Sequence, residues 1–161
     1  MKLMLICAGL LRRDDRVLLV RCTYPGEPKP LWVLPGGGHK EDETLEQTVV
    51  REFREETSLE IFTDRLAYAS ESIDEQRGFH VLNFTLHVRE RDRMATPVPA
   101  DPKVVEARFV RIDEAPGLLS ADVLRIPVAA ALSGTKHSQF FVFDAAKVEV
   151  PFFTGPGDVQ A

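Results

Sequence analysis

The hydrophobic positions near the N-terminus follow the pattern of a buried strand. Apolar side chains occupy both alternating sets of positions from Leu3 to Leu11, which is typical of a strand inside a sheet that is covered on both faces. The charged segment Arg12–Arg16 interrupts this run and predicts a turn. We therefore expect Val17–Val20 to return as the second strand of a hairpin.

The clearest helical pattern lies in the next third of the chain. Three apolar residues recur at every fourth position, which places them in one stripe along a helix: Leu45, Val49 and Phe53. Thr44 with Gln47 three residues later is the pairing of a capping box, in which each residue satisfies a free backbone group of the other. The sequence therefore predicts a first helix from about Thr44 to Thr57.

The remainder of the chain is predicted to contain further strands. They are expected where apolar or alternating residues run between turn signals: Leu66–Ser72, Val81–Val88, Ala107–Ile112, Phe140–Phe143 and Val148–Phe153. The first two flank a polar turn and predict a second hairpin. Thr23–Pro30 and Met94–Lys103 are rich in proline and are expected to be loops within one domain.

A weaker helical pattern follows Ser120, which is a candidate N-cap. Pro127 lacks a backbone donor, so we expect it to kink or restart this helix. Val128–Leu132 should then be the better-defined part, and Gly134 should end it.

Length and composition limit the class of protein. With 161 residues, of which 44% are hydrophobic, the chain can bury one sizeable core, and we expect a single domain over residues 1–161. The formal net charge of -5 argues against binding to a nucleic acid polymer or an anionic membrane. The apolar N-terminal run is too short to cross a bilayer. Cys7 and Cys22 lie in apolar segments and are expected to be buried thiols, which suits a reducing cytoplasm.

Three glutamates crowd into one short part of the predicted helix: Glu52, Glu55 and Glu56. Offsets of three and four place them on one face, where like charges destabilise an isolated helix by roughly 0.2–0.5 kcal/mol per pair. A cation would remove that cost, and ligands that are all oxygen favour a hard ion such as Mg²⁺ or Mn²⁺. The alternative is a solvated acidic face interleaved with Arg51 and Arg54, which is the commoner arrangement for a helix considered alone.

A glycine-rich loop before the helix favours the metal site. Leu34-Pro35-Gly36-Gly37-Gly38 is followed by Glu43 and then by Arg51-Glu52-Phe53-Arg54-Glu55-Glu56-Thr57-Ser58-Leu59. This arrangement resembles the Nudix box, whose pattern is G-x5-E-x7-R-E-U-x-E-E-x-G-U with U a bulky apolar residue. Every fixed position from Gly37 onward matches except the last glycine, where Ser58 stands. A serine that keeps the left-handed conformation of that glycine costs roughly 1 kcal/mol.

The resemblance implies a fold and a set of site residues. The fold is α/β, a Nudix-type α/β/α sandwich with a mixed β-sheet. Glu52, Glu55 and Glu56 are implied to bind one or more divalent ions, Mg²⁺ or Mn²⁺, with the Gly37 carbonyl as a further ligand. One of the carboxylates is implied to act as the catalytic base, and Glu43 and Arg51 to pair and hold the loop onto the helix. Some relatives take the base from outside the box, for which this chain offers four candidates: Glu71, Glu75, Glu90 and Glu106.

The resemblance also implies a function. It is the metal-dependent hydrolysis of a diphosphate bond in a small-molecule nucleotide, either a nucleoside diphosphate linked to another moiety or a nucleoside triphosphate. The alternative is a nucleotide-binding regulatory module without turnover, although relatives of that kind lose box carboxylates that this chain keeps. A third alternative, an isomerase of isoprenoid diphosphates, needs chain extensions and a cysteine placement that are not found here.

The resemblance leaves the substrate and the assembly open. Ser72–Gln76 contains neither the proline nor the tyrosine that mark two substrate classes of the family, so the substrate is not predicted. Homodimers are common in the family, and the two aromatic C-terminal strands are a candidate interface for one.

Overall fold

The computed structural model describes residues 1–75, 77–134, 137–144 and 152–153. In chain order, its elements are β1 (Lys2–Arg13), β2 (Arg16–Cys22), β3 (Leu31–Val33), β4 (Gly36–Gly38), α1 (Leu45–Thr57), β5 (Ile61–Asp74), β6 (Phe79–Glu90), β7 (Val104–Arg111), α2 (Ala115–Leu118), α3 (Asp122–Leu132), β8 (Gln139–Asp144) and β9 (Phe152–Phe153). Of the predicted segment Val148–Phe153, residues 148–151 lie outside this description. No helix in the described ranges is both long enough and apolar enough to cross a membrane.

Strand β1 lies in the middle of a mixed sheet. It runs parallel to β6 from Lys2 to Leu11, and β6 pairs antiparallel with β5 as the predicted hairpin. On its other edge β1 pairs with β4. The predicted hairpin of β1 and β2 forms only at the turn, where Arg12 pairs with Val17 and Arg13 with Arg16. Because β4 and β6 occupy the edges of β1, strand β2 diverges to pair with β3 and β7.

Helices cover the two faces of the sheet, which explains why β1 is apolar on both sides. Cys7 and Leu11 pack with α1, whereas Ala8 and Leu10 pack with α3. Helix α1 lies so close to β1 that a Cβ atom on Gly9 would stand 2.3 Å from the ring of Phe53. The predicted α/β/α sandwich is therefore confirmed.

The first helix is close to its prediction. It spans Leu45–Thr57 with Thr44 as N-cap, and both hydrogen bonds of the capping box with Gln47 are present. Ser58 ends the helix at φ 60° and ψ 11°, the left-handed conformation, and its N–H donates to the Arg54 carbonyl over 3.1 Å. The position that is glycine in the family motif therefore has the left-handed backbone conformation even though serine occupies it in this chain.

The prediction for the helix after Ser120 was wrong about the N-cap and about a restart at Pro127. Helix α3 has Ala121 as its N-cap, without a capping side chain, and it runs continuously through Pro127. Pro127 lies in the second turn, so the helix loses few bonds, and burial of Pro127 and Val128 in the core favours the helix over a break. Gly134 follows the helix at φ 85°, as its position predicted.

Candidate active site

Two glycines of β4 let the loop lie directly against its neighbours. A Cβ atom on Gly36 would stand 2.4 Å from the carbonyl oxygen of Cys7, on the paired strand β1. A Cβ atom on Gly37 would stand 2.4 Å from Oε1 of Glu52. Strand β4 therefore forms one wall of a site whose other wall is α1, and Gly37 leaves room for the Glu52 carboxylate.

The structure brings Glu43 and Arg51 together as a two-pronged ion pair. Arg51 Nε donates to Glu43 Oε1 over 2.6 Å and Nη2 donates to Oε2 over 3.0 Å. The Thr48 hydroxyl donates to the same carboxylate, and Arg51 Nη2 also reaches the Gly38 carbonyl over 3.1 Å. Hydrogen bonds from Arg51 hold the pKa of Glu43 down at about 2. The pair ties the end of the loop to the helix.

Glu52 and Glu56 point inward from α1 and are 5% and 1% exposed. Glu56 Oε1 accepts the Gly36 N–H over 3.2 Å, and its Oε2 lies 3.8 Å from the Sγ atom of Cys22. Burial raises the pKa of Glu56 to about 8, opposed by the Gly36 hydrogen bond and reinforced by the charge of Glu52. Two carboxyl groups share one enclosed space, and Glu56 resists ionisation there.

Glu55 lies apart from this buried pair. Its side chain is 45% exposed, and Arg51 Nη1 donates to its Oε2 over 3.3 Å. The same Nη1 donates to Glu52 Oε1 over 2.8 Å. The three glutamates were predicted to share one face of the helix. The structure instead buries the carboxyl groups of Glu52 and Glu56 and leaves that of Glu55 at the rim of the site. Arg51 lies between Glu52 and Glu55 and donates to both.

The donor set fits a hard cation. In the described ranges, no three His, Cys, Asp or Glu side chains already stand in an arrangement ready to hold a metal. Glu52 Oε2, however, is buried and receives no hydrogen bond from an N–H group or a hydroxyl of the described residues, and the neighbouring acidic group is the Glu56 carboxyl. A buried carboxylate oxygen without a donor is costly unless a cation compensates it. The oxygen-only surroundings of Glu52 and Glu56 suit Mg²⁺ or Mn²⁺.

Three of the candidate bases outside the motif are engaged elsewhere. Glu71 contacts His80 over 2.5 Å, Glu90 contacts Arg13 over 2.8 Å, and Glu106 contacts Arg21 over 3.2 Å. Glu75 lies exposed beside the turn between β5 and β6.

Cys22 is the site residue that the sequence did not indicate. The expectation of a buried free thiol is confirmed, but its contact with Glu56 joins residues 34 positions apart and has no local signal. Burial and the neighbouring Glu56 raise the pKa of Cys22 to about 12, so the thiol stays protonated. Burial also raises the pKa of Tyr24, with Cys22 and Glu56 adding to the shift. Both groups therefore remain neutral beside the carboxyl pair.

Comparisons with known proteins agree with this architecture. The family model of the NUDIX domain matches residues 4–132. A CTP pyrophosphohydrolase of Escherichia coli (strain K12) is 35% identical over 60 residues, which cover 37% of this chain and 44% of that relative. The chain thus matches less than half of the length of this curated relative.

Two solved structures share the fold. A NUDIX hydrolase from Nitrosomonas europaea has a TM-score of 0.72 at 18% identity, over 88% of this chain and 78% of its own. A mutator MutT protein from Bacillus halodurans has a TM-score of 0.71 at 19% identity, over 93% of this chain and 97% of its own. At these identities, the likeness shows the arrangement of the backbone.

Proposed function

Because this chain belongs to the Nudix hydrolase family, we propose that it cleaves a diphosphate bond of a small-molecule nucleotide with the help of Mg²⁺ or Mn²⁺. Glu52, Glu55 and Glu56 would hold the ion, together with the Gly37 carbonyl. One of the three carboxylates would accept the proton of the attacking water.

The observation that carries the proposal is the buried Oε2 of Glu52, which no N–H group or hydroxyl of the described residues reaches. It is buried between Gly37 and Glu56, in the region where the family motif has its metal ligands. A bound divalent ion supplies positive charge to phosphate oxygens and lowers the pKa of water. Other residues of the chain position the groups that would hold the ion. Arg51 holds the loop wall, Gly37 leaves space for Glu52, and the Gly36 N–H orients Glu56.

A coupled phosphate-release assay tests the proposal. The panel contains nucleoside triphosphates, sugar nucleotides, ADP-ribose and dinucleoside polyphosphates, each with Mg²⁺ or Mn²⁺. CTP is included because it is the substrate in the name of the Escherichia coli relative. The variants are Glu52→Gln, Glu55→Gln and Glu56→Gln, and the matched control is Glu46→Gln, an exposed glutamate of the same helix.

We expect metal-dependent turnover by the wild type and the control. Each of the three site variants should lose roughly 100-fold or more, the size of loss seen when one transition-state-stabilising group is removed. Metal-dependent nucleotide binding without turnover would instead favour the regulatory module.

Assembly and location are separate predictions. Phe141 and Phe143 are buried in the monomer core against α3, which leaves fewer aromatic side chains of β8 for a homodimer interface. Sedimentation of the purified protein would measure whether the predicted dimer exists. The predicted cytoplasmic location would be tested by fractionation of expressing cells.

A further inference from the structure

The proline-rich loop before β7 is fastened to the end of α1. The Val98 N–H donates to the Thr57 carbonyl over 2.8 Å, and the Ala100 N–H donates to the Glu55 carbonyl over 3.2 Å. The Ser58 hydroxyl donates to the Val98 carbonyl over 2.6 Å. Residues 98–103, named the strap below, are therefore fixed to the helix end that carries Glu55 and Glu56.

The other end of the strap is fixed to β2. The Lys103 carbonyl accepts the Thr23 N–H over 2.9 Å and lies 3.3 Å from its hydroxyl. Asp101 closes a turn immediately before, since it accepts the N–H groups of Lys103 and Val104 over 3.0 Å. Pro99 and Pro102 fix the backbone φ angle within the strap. The strap thus runs as a stiff segment from α1 to the residue after Cys22.

This course brings the backbone of Lys103 next to Thr23, the residue after Cys22, whose thiol contacts Glu56. The positive charge of Lys103 acts on both groups and favours the ionised form of each. Its side chain is 44% exposed, and its ammonium group lies 3.9 Å from Oδ2 of Asp101. Arg51, in contrast, is fully engaged with carboxylates. Lys103 is therefore a loosely held cation at the edge of an acidic site.

We propose that Lys103 binds a phosphate oxygen of the substrate beside Glu56, and that Ser58 is a positioning residue that holds Lys103 there through the strap. The inference rests on the proposed function. A diphosphate carries at least two negative charges, and the carboxylates that would hold the divalent ion already offset the charge of that ion. A lysine ammonium is a suitable point charge for the phosphate oxygens that remain uncompensated. This gives a role to Ser58, which stands where the family has glycine. Its hydroxyl holds the strap at Val98, and a glycine has no hydroxyl with which to do so.

A purely structural role for Lys103 predicts a different result. Suppose that Lys103 only offsets the negative charge of the site glutamates. Its removal then changes the stability of the protein and its affinity for the metal. The affinity for the nucleotide, compared at equal metal occupancy, stays the same. If Lys103 binds phosphate, its removal weakens nucleotide binding, and the affinity for Mn²⁺ alone does not fall, since a cation has been removed from a cation site.

The experiment compares Lys103→Gln, Ser58→Ala, Ser58→Gly and the double variant Lys103→Gln/Ser58→Ala with the wild type. Lys29→Gln is the control, because Lys29 is an exposed lysine of another proline-rich loop. Calorimetry measures binding of Mn²⁺ alone and of α,β-methylene-ADP with Mn²⁺. Steady-state kinetics on the best substrate of the panel separates KM from kcat.

We expect Lys103→Gln to weaken α,β-methylene-ADP binding and raise KM by about 10- to 100-fold, the range of one charge-assisted hydrogen bond, with a small change in kcat. Both Ser58 variants should show a smaller loss, about 3- to 10-fold. Ser58→Gly keeps the left-handed turn without strain, so its loss cannot be attributed to misfolding. The double variant should equal Lys103→Gln alone, because Ser58 acts through Lys103.

Equal nucleotide affinity in Lys103→Gln, Lys29→Gln and the wild type would overturn the inference and leave the proposed hydrolysis intact. Additive losses in the double variant would overturn the positioning role of Ser58. A wild type that neither binds nor hydrolyses any nucleotide of the panel would overturn the proposed function and the inference together.

Discussion

Replacing Gly37 with alanine tests whether the close approach of the loop to Glu52 matters for activity. The added methyl would lie 2.4 Å from Oε1, 2.6 Å from Cδ and 2.8 Å from Oε2 of Glu52. All three atoms belong to the carboxylate that is proposed to hold the metal. The substitution therefore acts on one functional group and leaves the charge of the protein unchanged.

The size of the effect follows from the overlap. Ordinary non-bonded contact is about 3.5 Å, so the carboxylate must move by about 1 Å to accept the methyl. A displacement of that size at a reacting centre can cost about 100-fold in rate. The unfolding free energy should change by less than about 1 kcal/mol, because the end of a side chain can rotate away without disturbing the backbone.

Gly38→Ala is the matched control. A Cβ atom on Gly38 meets nothing within 4 Å, and Gly38 lies in the same short strand. The assay measures kcat and KM for the best substrate of the panel, with urea unfolding of each variant. We expect Gly37→Ala to lose about 100-fold in kcat/KM and Gly38→Ala to stay near the wild type. Equal activities of the two variants would refute the reasoning, because the predicted contact would then have no functional consequence.

Three further predictions concern stability. The pKa of Glu56 is raised to about 8, so its protonated form stabilises the metal-free protein fully below about pH 4.5 and less as the pH rises through 8. Unfolding with a chelator should show a loss on the order of a few kcal/mol over that range, and Glu56→Gln should remove the pH dependence. The pKa of Glu43 is lowered to about 2, so its pairing with Arg51 stabilises the protein above about pH 4.5 and is lost as the pH falls through 2. Glu43→Gln should therefore be less stable at neutral pH and approach the wild type near pH 2, and a constant gap in Tm would contradict this. Gly9→Ala places a methyl 2.3 Å from the Phe53 ring and should destabilise the protein by about 1–3 kcal/mol in urea, a loss that Phe53→Leu in the same chain should partly reverse.

Features set by residues close together in the chain were predicted well. The capping box of Thr44 and Gln47 and the apolar stripe of α1 each depend on a few successive residues. The two-sided apolar pattern of β1 likewise indicated a strand covered on both faces, and the structure confirms this with α1 on one face and α3 on the other. In such cases the local pattern and the tertiary structure favour the same conformation.

Features set by distant partners were not predicted. The pattern of β1 and β2 indicates two strands but cannot show that β4 and β6 already occupy the edges of β1. Pro127 was expected to kink or restart α3, but the helix continues through it, because packing against the core outweighs the local preference for a restart. Glu52 and Glu56 are buried and Glu55 is exposed because the glycine loop and Cys22 lie against the first two residues only. Helix periodicity alone does not show where the loop and Cys22 lie.

The central position of β1 has a consequence for how the protein reaches its native state. β1 is completed at Arg13, but its long parallel partner β6 begins only at Phe79. During synthesis on the ribosome, the apolar strand β1 therefore lacks this long partner until about half of the chain has been made and β6 is available. Pairing between such distant segments makes folding slow, and an uncovered apolar strand favours association with other chains. We therefore expect slow refolding from urea and a yield that falls as protein concentration rises.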